Sequence, residues 1–114
     1  MKKILIIDDD SGIAETLSIF LSRMGHQVKV AYDGEQGIKL MKRGGNFNLV
    51  ITDIDMPKMS GNEVARYIRK TYRPSDINVV AITGFTNNLE KNLFDGFLAK
   101  PFKIKNLVDL IELL

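Results

Sequence analysis

The sequence has no cysteine in its 114 residues, only three prolines and a single histidine. The lack of cysteine excludes disulfide bonds and thiolate metal sites, and it suits the reducing cytoplasm, where we expect the protein to reside. No apolar run approaches the roughly 20 residues that span a bilayer, so we expect no membrane segment. The apolar run near Met1 stops after four residues at three aspartates, which argues against a secretion signal.

Neither sign of charge dominates the chain. Lysine and arginine together number 16 and aspartate and glutamate 14, which gives a net charge of +2. Because this excess is small and scattered, the sequence does not predict a surface that binds nucleic acid. The contents of hydrophobic residues (45%) and charged residues (26%) are typical of a globular protein and argue against disorder. The length predicts one domain over residues 1–114.

Short, β-branched apolar runs alternate with segments of helical periodicity. The runs predict strands over residues 3–7, 27–32, 49–53, 77–82 and 96–99. The periodic segments predict helices over residues 13–24, 33–43, 60–72 and 104–114, with a short, weakly patterned helix over 86–94. This alternation predicts an α/β fold in which a doubly wound, five-stranded parallel sheet is covered by helices on both faces.

Chemically active side chains follow the predicted strands. In doubly wound sheets, ligands bind at the carboxyl ends of the strands, where the strand order reverses. We therefore expect one rim of the sheet to collect the following residues: Asp8, Asp9, Asp10, Asp33, Asp53, Thr83 and Lys100. Asp10 can instead act as the N-cap of the following helix. His26 follows a glycine that ends a helix, so it is interpreted as a surface residue.

Three carboxylates of this set, Asp8, Asp9 and Asp53, would repel one another, and protonation or a cation must relieve that repulsion. A hard divalent cation fits oxygen ligands, and Mg²⁺ combines one or two carboxylates with phosphate oxygens. A carboxylate can also attack phosphorus to form an aspartyl-phosphate. Lys100 offers a positive charge and Thr83 a hydroxyl to phosphoryl oxygens. The rim therefore predicts an aspartate that accepts a phosphoryl group with the help of Mg²⁺.

Four motifs, in order along the chain, resemble the receiver domain of two-component response regulators. They are the run from Ile4 to Asp10, Asp53-Ile54-Asp55-Met56-Pro57 with Gly61, Ile82-Thr83-Gly84, and Lys100-Pro101-Phe102. The resemblance covers essentially the whole chain. It implies the flavodoxin-like strand order 2-1-3-4-5 and a phosphorylation-controlled signalling switch that turns over no other substrate.

The resemblance also implies residue roles and partners. Asp53 would accept the phosphoryl group from a phosphohistidine on a sensor histidine kinase or a histidine phosphotransfer protein, and a downstream protein target or output domain would respond. Mg²⁺ would be held by Asp9 and Asp53 directly, by Asp8 through water, and by the backbone carbonyl of Asp55. Thr83 and Lys100 would bind the phosphoryl oxygens, and the Lys100–Pro101 bond is expected to be cis.

Two features depart from the family pattern. Phe97 stands where many relatives have a tyrosine that changes rotamer on activation, and phenylalanine has no hydroxyl to donate. The segment from Thr83 to Phe97 is also short, so we expect a shortened fourth helix. We expect Thr83 and Phe97 to form the switch pair. Asp55 lies two residues past Asp53, and Phe85 lies two residues past Thr83. We expect both to control how water reaches the phosphoryl group.

Two other functions are compatible with parts of the sequence. Asp53-Ile54-Asp55 resembles the Asp-x-Asp pair of haloacid-dehalogenase-like phosphotransferases, but that family places the pair after its first strand and needs a larger core. A flavodoxin-like binding module would need a glycine- and hydroxyl-rich loop after the first strand, where three aspartates stand instead.

Overall fold

A computed structural model of the protein describes residues 1–84 and 88–114. Its five strands form one parallel sheet in the order β2-β1-β3-β4-β5, which confirms the predicted doubly wound architecture. The strands are β1 (Lys3–Ile7), β2 (Gln27–Ala31), β3 (Leu49–Asp53), β4 (Asn78–Thr83) and β5 (Gly96–Ala99). The helices are α1 (Ser11–Arg23), α2 (Gly34–Lys42), α3 (Gly61–Thr71) and α4 (Ile104–Glu112). In the described ranges, no helix combines the length and the apolar character needed to cross a bilayer.

Polar side chains set the start of three helices. Asp10 Oδ1 accepts a hydrogen bond from the Ile13 amide (3.2 Å) at the start of α1, and Asp33 Oδ1 accepts one from Gln36 (2.7 Å) at the start of α2. Ser60 Oγ accepts one from the Glu63 amide (3.2 Å) at the start of α3. Each bond satisfies a backbone donor that the first helical turn leaves unpaired. Asp10 and Asp33 therefore serve as helix caps; for Asp10 this is the alternative that the sequence left open.

The sheet separates two apolar layers. Side chains of β1, β3 and β4 alternate between the layers, so β3 is buried along its whole length. One layer packs against α1 and α4 through Ala14, Leu17, Leu21, Leu107 and Ile111. The other packs against α2 and α3 through Met41, Val64, Ala65 and Ile68. Burial on both faces explains why these strands are continuous apolar runs that end abruptly at polar residues.

The connection between β4 and β5 contains a 3₁₀ turn in its described part. The helix predicted over 86–94 lies partly outside the described residues, and Lys91–Leu93 within this range form a 3₁₀ turn. Glu90, which precedes the turn, makes no capping bond with its side chain. Three residues without a cap are too few for a stable α-helical nucleus, which accounts for the 3₁₀ geometry.

Candidate functional site

Three carboxylates meet where β1 and β3 end. Asp8 and Asp9 follow β1, and Asp53 is the last residue of β3; each supplies one oxygen to a group in which all oxygens lie within 4.8 Å of one another. The two strands are neighbours in the sheet, with Ile7 in register with Thr52, so their ends lie side by side. Asp8 and Asp53 are buried, at 2% and 7% exposure, whereas Asp9 is exposed.

Lys100 brings a positive charge into this group. Its Nζ lies 3.5 Å from Asp8 Oδ2 and 3.6 Å from Asp53 Oδ1. The Lys100 amide donates to the carbonyl oxygen of Thr83 (2.8 Å), which fastens the segment after β5 to the end of β4. The Lys100–Pro101 bond is cis, as predicted. The structure therefore brings Asp8, Asp9, Asp53 and Lys100 together from three strands of the sheet.

Thr83 completes the same rim. It is the last residue of β4, and it is fully buried. Asp53 is in register with Ile82, so Thr83 lies one position further along the neighbouring strand, and Thr83 itself is in register with Ala99. This places its hydroxyl on the strand between those that carry Asp53 and Lys100.

The loop after Asp53 folds tightly back on itself. The Ile54 amide donates to Asp53 Oδ1 (2.9 Å), and the Gly61 amide donates to the Ile54 carbonyl oxygen (2.9 Å). A Cβ atom on Gly61 would lie 2.2 Å from the Asp53 carbonyl oxygen, which is closer than atoms can approach. Gly61 is therefore required for the close contact between the start of α3 and the end of β3. Gly61 is part of the motif that carries the resemblance, but the sequence alone does not show the close contact that requires a glycine there.

The buried carboxylates hold protons more tightly than ordinary aspartates. Burial raises the pKa of Asp53 to about 6, helped by the charge of Asp8 and opposed by Lys100 and the Ile54 amide. Burial also raises the pKa of Asp8, against a hydrogen bond from the Asp10 amide (2.9 Å) and the charge of Lys100. One ammonium thus pairs with two members of a group of three carboxylates, and the remaining negative charge favours binding of a cation.

The donor set fits a hard divalent cation. Its ligand atoms are carboxylate oxygens, which Mg²⁺ prefers over nitrogen or sulfur. Within residues 1–84 and 88–114, no other group of three acidic or histidine side chains has its ligand atoms within 4.8 Å of one another. His26 lies at the opposite end of the sheet, where its Nδ1 accepts a hydrogen bond from the Lys2 amide (3.0 Å).

The carboxylate of Asp55 does not belong to the acidic group. Asp55 is exposed, and its Oδ1 accepts a hydrogen bond from Asn88 Nδ2 (2.9 Å) in the connection after β4. Sequence reasoning missed Asn88, because an isolated asparagine carries no signal of its partner. Phe85, the other residue predicted to control water access, lies outside the described residues.

Phe97 lies in the edge strand β5, in register with Ala81, two residues before Thr83 on β4. Its side chain is partly exposed, and Lys91 Nζ lies 5.5 Å from the centre of its ring. This is a cation–π contact in a partly solvated setting, which contributes modestly to stability. The ring therefore occupies an outward position beside the 3₁₀ turn.

The fold and this rim define a receiver domain. The sequence model of the response regulator receiver domain matches residues 4–112, and the chain belongs to this family of signalling switches in two-component systems.

Two curated relatives and two solved structures illustrate the similarity. The chain is 33% identical to the transcriptional regulatory protein CpxR of Escherichia coli, over 95% of this chain and 47% of the relative. It is 32% identical to the uncharacterized transcriptional regulatory protein YcbL of Bacillus subtilis, over 90% of this chain and 46% of the relative. The chain therefore spans about half the length of these relatives.

The structural matches extend over almost the whole chain. The response regulator protein TrrA of Thermotoga maritima, solved in complex with Mg²⁺–BeF, superposes with a TM-score of 0.87 at 34% identity, covering 98% of this chain and 97% of that one. A receiver domain protein of Clostridium thermocellum superposes with a TM-score of 0.89 at 30% identity, covering 98% and 92%.

Proposed function

We propose that residues 1–114 form a single receiver domain that accepts a phosphoryl group on Asp53 in a Mg²⁺-dependent reaction. The observation that carries this proposal is the meeting of Asp8, Asp9 and Asp53 within 4.8 Å, with Lys100 Nζ 3.6 Å from Asp53. The complex of TrrA with Mg²⁺–BeF supports a role for Mg²⁺ in this family.

The proposed metal ligands are the carboxylates of Asp9 and Asp53, Asp8 through water, and the backbone carbonyl of Asp55. When bound, Mg²⁺ would offset the repulsion among the carboxylates and the negative charge of an incoming phosphoryl group. Cation binding would also favour the ionised form of Asp53, and only this form is a nucleophile.

In the proposed reaction, an ionised Asp53 oxygen attacks the phosphorus of a phosphohistidine. A P–O bond to Asp53 forms while the P–N bond breaks, and the electron pair stays on the imidazole nitrogen, which takes up a proton. Asp53 Oδ1 already accepts a hydrogen bond from the Ile54 amide, and this bond fixes the orientation of the carboxylate. Lys100 and the Thr83 hydroxyl would bind the phosphoryl oxygens, since one supplies a positive charge and the other a donor.

The proposed donor is a sensor histidine kinase or a histidine phosphotransfer protein, and the proposed recipient of the signal is a downstream protein or output domain. The relatives named as transcriptional regulators support an output in gene control, and this chain corresponds to about half of their length. The dehalogenase-like alternative loses support, because Asp53 ends the third strand and not the first.

The proposal is tested by incubating the protein with acetyl phosphate and Mg²⁺. Intact-mass spectrometry should detect one added phosphoryl group, which hydroxylamine removes because an aspartyl-phosphate is an acyl phosphate. Asp53→Asn should remain unlabelled, whereas Asp33→Asn, a matched change at a helix cap outside the acidic group, should be labelled normally. Labelling of Asp53→Asn at the wild-type level would identify another acceptor and refute the assignment.

A further inference from the structure

The Asp55 carboxylate stands apart from the acidic group although it is only two residues from Asp53. Its Oδ1 accepts a hydrogen bond of 2.9 Å from the side-chain amide of Asn88. Asn88 lies in the connection between β4 and β5, so this bond joins two loops at the same end of the sheet.

Asn88 is itself held by the first turn of α3. Asn62 Nδ2 donates to the Asn88 carbonyl oxygen (2.6 Å), and the Glu90 amide donates to Asn62 Oδ1 (3.1 Å). One turn further along α3, Arg66 forms an ion pair with Glu90. The backbone on both sides of position 89 is therefore fixed to α3, which itself begins directly after the loop that carries Asp55.

We propose that Asn88 is a positioning residue that holds the Asp55 carboxylate away from the acidic group, so that three carboxylates and not four face the metal. This inference rests on the proposed Mg²⁺ site. Both hydrogen-bonding groups of Asn62 are used to fix the backbone of residues 88 and 90, and this leaves the Asn88 side chain in place to bind Asp55.

The charge of a fourth carboxylate would act in two directions. It would attract a divalent cation, because Coulomb attraction grows as the carboxylate approaches. It would also repel an anionic phosphoryl donor. Holding Asp55 back therefore weakens metal binding slightly and favours entry of the donor.

The test is a calorimetric titration with Mg²⁺ alone. Asn88→Ala should lower the dissociation constant by about three- to tenfold, as expected for one unit charge moving a few ångströms closer to a divalent cation. Asn106→Ala, a matched change at an exposed position of α4, should leave the constant unchanged. The gain in Mg²⁺ affinity should vanish when Asn88→Ala is made in an Asp55→Asn background, because the carboxylate charge at position 55 is then absent.

The outcomes separate this inference from the proposed function. Loss of Mg²⁺ binding in Asp9→Ala supports the metal site; equal binding in wild type and Asp9→Ala refutes it. If the metal site is supported, an unchanged or weaker Mg²⁺ affinity in Asn88→Ala overturns the role of Asn88. A gain in Mg²⁺ affinity that persists in the Asp55→Asn background also overturns it.

A second measurement compares the wild-type chain with Asp55→Ala and does not depend on an Asn88 variant. In NMR spectra, the side-chain amide signals of Asn88 should shift on Asp55→Ala, because their acceptor is removed. Asn106 signals should stay in place. Unmoved Asn88 signals would also overturn the inference.

Discussion

Asp53 shows how burial changes the chemistry of a single residue. Its ordinary pKa is 3.8, and burial together with the charge of Asp8 raises it to about 6 in the folded protein. Between about pH 4 and pH 6 the folded state therefore binds more protons than the unfolded chain. The stabilising effect of this proton is complete below pH 4 and is lost as the pH rises through 6.

This linkage predicts the effect of removing the charge. Without added metal, Asp53→Asn should raise the free energy of unfolding at pH 7.5 by about 1–3 kcal/mol, and the gain should largely disappear at pH 4. Urea denaturation at the two pH values measures the difference. A gain of the same size at pH 4 would show that ionisation of Asp53 does not destabilise the fold.

At the scale of secondary-structure elements, a polar network joins α3 to the start of β4 and to the segment before β5. Asp95 Oδ2 accepts a hydrogen bond from the Val79 amide (2.8 Å) and pairs with an Arg69 terminal nitrogen (3.0 Å). Arg69 Nε also donates to the Leu93 carbonyl oxygen (2.9 Å). These contacts tie α3, the start of β4 and the segment before β5 together. Burial alone would raise the pKa of Asp95, but the Val79 amide and Arg69 lower it overall.

Loss of the Asp95 charge should destabilise the protein. Asp95→Asn should lower the free energy of unfolding at pH 7 by about 1–3 kcal/mol, because a charge-assisted bond is lost and Arg69 is left partly buried. Since the folded-state pKa is lowered, the contribution is present above about pH 4 and is lost as the pH falls further.

The exposed pair of Arg73 and Asp76 provides the matched control. Asp76→Asn should change stability by less than about 0.5 kcal/mol in the same denaturation experiment. If both substitutions have equally small effects, the network around Asp95 does not hold the connection in place.

The strands β4 and β5 also carry the proposed switch. Thr83 and Phe97 lie on neighbouring strands, and Phe97 is partly exposed in this structure. A phosphoryl group on Asp53 that draws the Thr83 hydroxyl toward it would open space into which the Phe97 ring can move. Because Phe97 has no hydroxyl, burial alone would hold it inward.

We expect Thr83→Ala to bind beryllofluoride with Mg²⁺ at Asp53 but to lose the coupled response at Phe97. NMR shifts of Phe97 and of α4 (Ile104–Glu112), with and without this phosphoryl mimic, measure the coupling. Thr71→Ala, at the end of α3, is the matched control. Identical responses in wild type and Thr83→Ala would exclude Thr83 as the coupling residue.

At the scale of the whole molecule, the proposed Mg²⁺ site would link cation binding to stability. A ligand that binds only the folded state stabilises it by RT ln(1 + [L]/Kd), so the gain grows with the logarithm of the ligand concentration once the site is nearly saturated. At a Mg²⁺ concentration about 100 times the dissociation constant, the gain is about 2.7 kcal/mol, which should raise Tm by roughly 10 °C.

Thermal unfolding at increasing Mg²⁺ concentration checks this expectation. Asp9→Ala should abolish most of the increase, because one carboxylate of the acidic group is removed. Asp109→Ala, at an exposed position of α4, should preserve it. A Tm that rises equally in both variants would indicate a nonspecific salt effect.

Local sequence determined the arrangement of elements and most of the rim. Apolar runs ending at Asp8 and Asp53 predict buried parallel strands, and strand ends of a parallel sheet share one edge. The N-cap residue Ser60 is also readable from the sequence, because its partner lies three residues away. The resemblance added the strand order and the phosphohistidine as the expected phosphoryl donor.

Tertiary structure alone decided the features that depend on partners distant in the chain. The pKa of Asp53 depends on burial and on Asp8, which is 45 positions away in the sequence. The bond from Asn88 to Asp55 spans 33 positions, and the close approach of Gly61 to the Asp53 carbonyl appears only once the loop is folded. Periodicity and capping patterns extend over a few residues, whereas desolvation and side-chain hydrogen bonds depend on which distant segments the sheet brings together.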